Sequence, residues 1–222
     1  MEQHILTMGN YRLACQLPQQ AVRQLVYFHS PVDDLTPPGD LLEQAGAAFL
    51  CITGEDWNAD LTPWPAERVF AKGGDFGGRA DRYLRVLTEE LLPFAEHSLH
   101  VEGLPRTLAG VSLSGLFAVY AAHRTDAFHR ICSVSGSLWY DGFLDFMVQN
   151  PVSPAVRRVY LSVGSREKNA KNPRMRRVED CTLRAAGRLR QQDVDTRMEI
   201  NPGGHYADGA ERLRKGLTYI LA

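Results

Sequence analysis

Two hydrophobic rhythms alternate along this chain. Residues 24–29 (QLVYFH), 47–53 (AAFLCIT), 107–111, 128–134 and 159–163 form short apolar-rich runs of strand length, and 196–200 completes the set. Runs that are apolar without strict alternation suit strands covered on both faces. Between them, residues 39–45, 79–97, 113–123, 141–149, 175–191 and 210–221 read as helices. In 79–97 the stripe is Tyr83, Leu84, Val86, Leu87, Leu91 and Leu92, with Pro93 expected to kink or end the helix. Residues 5–8 and 11–17 flank a Gly9-Asn10 turn and predict an opening hairpin. The sum is an α/β fold: a mostly parallel central sheet opened by an N-terminal antiparallel hairpin, with helices on both faces. No repeat or linker interrupts the pattern, so residues 1–222 are expected to form one domain.

One stretch lacks either rhythm. Residues 54–78 form a long loop rich in Gly, Pro and Trp. Loops of this length tend to be functional. Trp57, Trp64 and Phe70 have two readings: they line a pocket, or they pack the loop onto the body.

Composition narrows the function classes. With 44% hydrophobic residues the chain can bury a sizeable core, and its net charge of -1 has no long block of one sign. That argues against a nucleic-acid or basic membrane surface. No apolar run approaches a membrane span of roughly 20 residues. The opening MEQHILTMGN lacks the charged-then-apolar pattern of a signal peptide, so a cytoplasmic location is expected. Cys15, Cys51, Cys132 and Cys181 show no C-x-x-C spacing, and the first three sit in strand-like runs, as buried reduced thiols would. The pairs His97/His100 and His123/His129 have no cysteines or acid cluster at zinc spacing, so surface or packing roles are expected for them. Nothing in the pattern bears on oligomeric state.

The candidate chemistry sits at Gly110-Val111-Ser112-Leu113-Ser114-Gly115. An apolar strand ends there and an apolar helix begins, with one serine between small residues. This is the layout of a nucleophile elbow, whose sharp turn leaves no room for bulky flanks. The usual G-x-S-x-G ends in glycine; here Ser114 stands in that place.

Parallel sheets place ligands beyond the carboxyl ends of their strands. Three such ends carry Ser112, Glu167 and His205, in the order serine, acid, histidine of α/β-hydrolase triads. A histidine can take the serine proton near neutral pH, and an acid can hold its tautomer. Glu179 and Asp180 are the alternatives for the acid. The Leu113 N–H, at a helix start, would face a developing oxyanion, with the Ser30 N–H as the expected second donor because Pro31 has none.

Several segments resemble the putative-esterase family of α/β-hydrolases, which includes S-formylglutathione hydrolases, enterobactin and salmochelin esterases, feruloyl esterases and mycolyltransferases. They are Asp60-Leu61-Thr62-Pro63 with Gly73-Gly74, Glu90-Leu91-Leu92-Pro93, Leu108 to Leu116 across the elbow, Ser135-Gly136-Ser137-Leu138-Trp139, and Gly203-Gly204-His205. The likeness runs from about Cys51 to the C-terminus. It implies Ser112 as nucleophile, His205 as base and Glu167 as acid, with Trp139 near the acyl or alcohol pocket. Tyr206 and Trp57 are taken as further pocket residues. His29-Ser30-Pro31 departs from the Asp-Gly of many members.

The expected activity is hydrolysis of a small-molecule carboxylic ester through an acyl-enzyme, needing no metal or organic cofactor, with the siderophore-esterase branch as the nearest likeness. Acyl transfer by the same three residues is an alternative. A non-catalytic binding module with a hydrolase fold is another.

Overall fold

The structure is a computed structural model that describes residues 1–31, 37–71 and 73–222. Residues 32–36 lie outside the described residues, as does Lys72 of the long loop.

Eight strands form one sheet: β1 (Glu2–Met8), β2 (Tyr11–Leu17), β3 (Gln24–His29), β4 (Ala47–Thr53), β5 (Arg106–Val111), β6 (Arg130–Val134), β7 (Arg158–Gly164) and β8 (Asp195–Asn201). Their order is β1-β2-β4-β3-β5-β6-β7-β8. The hairpin pairs β1 with β2 antiparallel, and β2 joins β4 the same way. From β4 to β8 every pairing is parallel. This is the mostly parallel sheet, opened by an antiparallel hairpin, that the alternating pattern predicts.

β3 shows why its run is apolar throughout. All six residues are buried. Leu25 and Tyr27 join the core on one face, Val26 and Phe28 the core on the other. Helices α1 (Gly39–Ala45) and α6 (Gly209–Leu221) supply Leu42, Leu213, Leu217 and Ile220 to the second face. The first face is covered by α2 (residues 80–99), α3 (Leu113–Ala122), α4 (Phe143–Gln149) and α5 (Val178–Arg190). All ten residues of α3 are buried, so a helix that is apolar all round occupies the interior.

Pro93 does not end its helix. A π segment, Leu87–Leu91, precedes it, and the chain stays helical to Leu99. A proline removes one backbone donor, and a wide turn just before it accommodates the change in hydrogen-bond spacing. The stretch 54–78 holds a one-turn helix, Trp57–Asp60, and a pair of two-residue strands, Pro65–Ala66 with Phe76–Gly77. All four cysteines are buried. Among the described residues no helix is long and apolar enough to cross a membrane.

Candidate active site

The turn between β5 and α3 holds Ser112 at φ 61° and ψ -119°, a backbone region that non-glycine residues rarely occupy. The surroundings impose it. The Ser112 N–H donates to the Val134 carbonyl of β6 (3.2 Å), and its own carbonyl accepts from the Ser137 N–H (3.0 Å). The Ser135-Gly136-Ser137 turn after β6 therefore clamps Ser112 from outside its own strand. Gly110 has no alternative at its position, since a Cβ there would come within 2.3 Å of the Ser114 backbone. Ser114 is tolerated because its hydroxyl is used: it accepts from the Val111 N–H (2.8 Å) and donates to the Val111 carbonyl (2.9 Å).

Glu167 follows β7 and His205 follows β8. The three side chains meet at the carboxyl edge of the sheet. His205 Nε2 lies 3.2 Å from Ser112 Oγ, and His205 Nδ1 lies 2.7 Å from Glu167 Oε2. Gly203 carries a left-handed φ of 95°, and a Cβ there would lie 2.5 Å from that of Ala207. Only glycine brings the loop around with His205 facing the serine.

The other Glu167 oxygen is occupied. Oε1 accepts from the Ser135 hydroxyl (2.7 Å), the Gly164 N–H (2.6 Å) and Arg212 Nη1 (3.3 Å). Burial pushes the Glu167 carboxyl up, but the bonds from His205, Ser135 and Gly164 outweigh it and hold it below its ordinary value. Glu179 pairs with Lys168 (3.0 Å), and Asp180 faces Arg184 at 3.8 Å. Neither alternative acid is the one that binds His205.

The expected oxyanion donors separate. The Leu113 N–H opens α3, where helical N–H groups have no acceptor within the helix. The Ser30 N–H is already committed: it donates to the Ile52 carbonyl (3.1 Å), continuing the β3–β4 ladder one residue past the strand. Ser30 is therefore corrected as a donor, because sheet pairing consumes the group the sequence left unassigned.

A cleft of about 910 Å³ opens over Ser112 and His205. Trp57, Trp139, Tyr206 and Phe70 line it. Trp139 is buried, with the Arg174 guanidinium 5.6 Å from its ring centre. Tyr206 is 88% exposed and meets the His205 ring edge-on at 5.0 Å. Trp64 takes the other reading offered for the loop aromatics: its Nε1 donates to the Asp141 carbonyl (2.9 Å), and its ring packs on Tyr140 and Phe146.

His97 pairs with Glu102 on the surface, His123 Nδ1 lies 2.8 Å from the Asn150 carbonyl, and His129 Nδ1 accepts from the Arg106 N–H. Sequence reasoning missed Ser135 and Arg212. Ser135 stood only within the Ser135-Gly136-Ser137-Leu138-Trp139 likeness, with no role of its own assigned. Arg212 carried a signal: with Gly216 and Ile220 it forms a series at a spacing of four on the buried side of α6.

The fold is of the α/β-hydrolase class. A family model described as putative esterase matches residues 9–208, and the chain belongs to that family. A curated relative, uncharacterized protein YbbA of Bacillus subtilis (strain 168), is 31% identical over 136 residues, which is 60% of this chain and 54% of the relative. The chain thus matches across about half the length of that relative. Among solved structures, an IroE-like serine hydrolase from Shewanella oneidensis superposes with a TM-score of 0.79 at 18% identity, covering 98% of this chain and 78% of that one. Siderophore hydrolase EstB from Aspergillus nidulans gives 0.71 at 18% identity, covering 99% and 94%. The enterobactin esterase FES from Shigella flexneri gives 0.72 at 20% identity, covering 98% and 58%.

Proposed function

We propose that the protein is a serine esterase in which Ser112, His205 and Glu167 form a catalytic triad on a nucleophile elbow. The observation that carries this reading is the continuous hydrogen-bonded line from Ser112 Oγ to His205 Nε2 and from His205 Nδ1 to Glu167 Oε2. His205 takes the serine proton as Oγ attacks the acyl carbon of a carboxylic ester. Glu167 fixes the imidazole tautomer and stabilises the imidazolium. The Leu113 N–H stabilises the oxyanion. As the tetrahedral intermediate collapses, His205 returns the proton to the departing alcohol. Water, activated by the same imidazole, then releases the acid and restores the serine. This chemistry calls on no metal or organic cofactor.

The natural substrate is proposed to be a siderophore ester or lactone of similar bulk. Supporting this are the 910 Å³ cleft with its aromatic lining, and the descriptions of similar structures as siderophore hydrolases and an enterobactin esterase. A cytoplasmic location belongs to the same reading, supported by four buried thiols.

The test is turnover of short-chain p-nitrophenyl esters by the wild type, Ser112→Ala and His205→Ala, with fluorophosphonate labelling alongside. Wild-type activity lost in both variants, and labelling lost in Ser112→Ala, is the expected result. Activity or labelling that survives Ser112→Ala overturns the assignment.

A further inference from the structure

Arginine is rarely buried completely, yet Arg212 is only 2% exposed. Its guanidinium faces two sets of partners with different jobs. Nη1 donates to Glu167 Oε1 (3.3 Å) and to Ser135 Oγ (3.2 Å). Nη2 donates to the Pro202 carbonyl (2.7 Å) and the Gly204 carbonyl (3.0 Å), which bracket the turn leading into His205. One planar, rigid group thus holds the carboxylate and the loop that carries the imidazole.

We propose that Arg212 is a positioning residue for the triad, setting His205 against Glu167 by binding at once the carboxylate and the backbone of the loop that carries the imidazole; this rests on the esterase reading of Ser112, His205 and Glu167. The allocation of oxygens supports it. Ser135, Gly164 and Arg212 all converge on Oε1, so Oε2 is left for His205 alone. Ser135 completes the relay, since its hydroxyl donates to Glu167 while accepting from Arg212. Two carbonyls and a carboxylate in fixed directions suit the guanidinium fork. A lysine ammonium is a point charge on a flexible stem and cannot span the same partners with fixed geometry. The buried cation is balanced by the carboxylate it holds. Arg212 is not among the residues lining the cleft, so it acts through its partners and not on substrate.

The experiment compares Arg212→Met and Arg212→Lys with the wild type and Ser112→Ala. Each is checked for folding by thermal denaturation, then assayed on p-nitrophenyl butyrate and labelled with fluorophosphonate. The expected result for folded Arg212→Met is a kcat lower by roughly 10- to 100-fold, the range lost when a group orienting a site ligand is removed, with KM within about twofold. Labelling should slow in proportion, and Arg212→Lys should fall between the two. A folded variant with wild-type kcat, or a loss confined to KM, overturns the inference. So does failure of both variants to fold, which would make the role structural. Activity surviving Ser112→Ala fails the esterase reading itself. Activity lost in Ser112→Ala but wild-type in both Arg212 variants fails this inference alone.

Discussion

Ser114 Oγ bonds both backbone groups of Val111, accepting from its N–H at 2.8 Å and donating to its carbonyl at 2.9 Å. The hydroxyl stands where a glycine is usual and closes the turn beneath Ser112. Ser114→Ala removes both bonds without adding bulk. Its expected cost is about 1–2 kcal/mol of stability, read from the midpoint of chemical denaturation. An unchanged midpoint would mean the turn closes equally well without the hydroxyl.

Ser112 sits at φ 61°. In the unstrained parts of a protein alanine is tolerated better than glycine, whereas a left-handed φ reverses that order. Ser112→Gly is therefore expected to be more stable than Ser112→Ala by roughly 1 kcal/mol, or about 2–4 °C in Tm for a chain of this size. Both should be inactive. Equal melting temperatures would show that the turn carries no strain.

Burial pushes the His29 imidazole down to about 3 from an ordinary 6.5. The folded protein keeps it neutral while the unfolded chain takes a proton below about 6.5, so the unfolded state binds more protons in that window. Stability must then fall as pH drops from 6.5 toward 3, by at most about 1.4 kcal/mol per unit from this group. Denaturation at pH 7.5 and pH 5 should show a smaller drop for His29→Gln than for the wild type. Parallel losses would remove His29 as a cause.

Glu55 has the opposite sign. Both of its carboxylate oxygens are buried without a well-aligned donor among the described residues. Burial pushes the carboxyl up to about 7, its own backbone N–H opposes this, and the Asp60 charge adds to the rise. The folded state holds a proton that the unfolded chain releases above about 4.5, so stability falls as pH rises from 4.5 to 7. Glu55→Gln should stabilise the protein by about 1–3 kcal/mol at pH 8 and change little at pH 4. A variant less stable at pH 8 would contradict this.

Ser112 and Glu167 were legible because each follows an apolar run, His205 because it follows the last strand and two glycines, and a parallel sheet gathers strand ends at one edge. Trp57 and Trp64, seven residues apart in one loop, could not be sorted the same way. One lines the cleft and the other packs on Tyr140, a choice made by tertiary contact. Ser30 failed as a donor for a related reason: whether a backbone N–H after a strand is free depends on how far the neighbouring strand extends, and Ile52 reaches it. Pro93 did not end its helix because the turn before it is not regular, and the local rule holds for a regular helix. Arg212 sits 45 residues from Glu167 in sequence, so its role emerges only once α6 is docked.

The π turn at Leu87–Leu91 also constrains how this helix can change in length. Tyr83, Leu87, Leu91 and Ala95 are all buried at a spacing of four. In a regular α-helix each such step drifts by about 40° around the axis, and the wider π turn offsets part of that drift. Beyond it, Glu96 accepts hydrogen bonds from Tyr27 and Arg106. Deleting one residue within the wide turn would leave a helix with no local flaw. Because five residues of a π turn advance about as far as four residues of regular α-helix, the distal half would keep close to its present phase, with Glu96 still facing both partners. A single-residue deletion should therefore be tolerated in this turn, whereas the same change in the regular parts of the helix would rotate everything beyond it by about 100°.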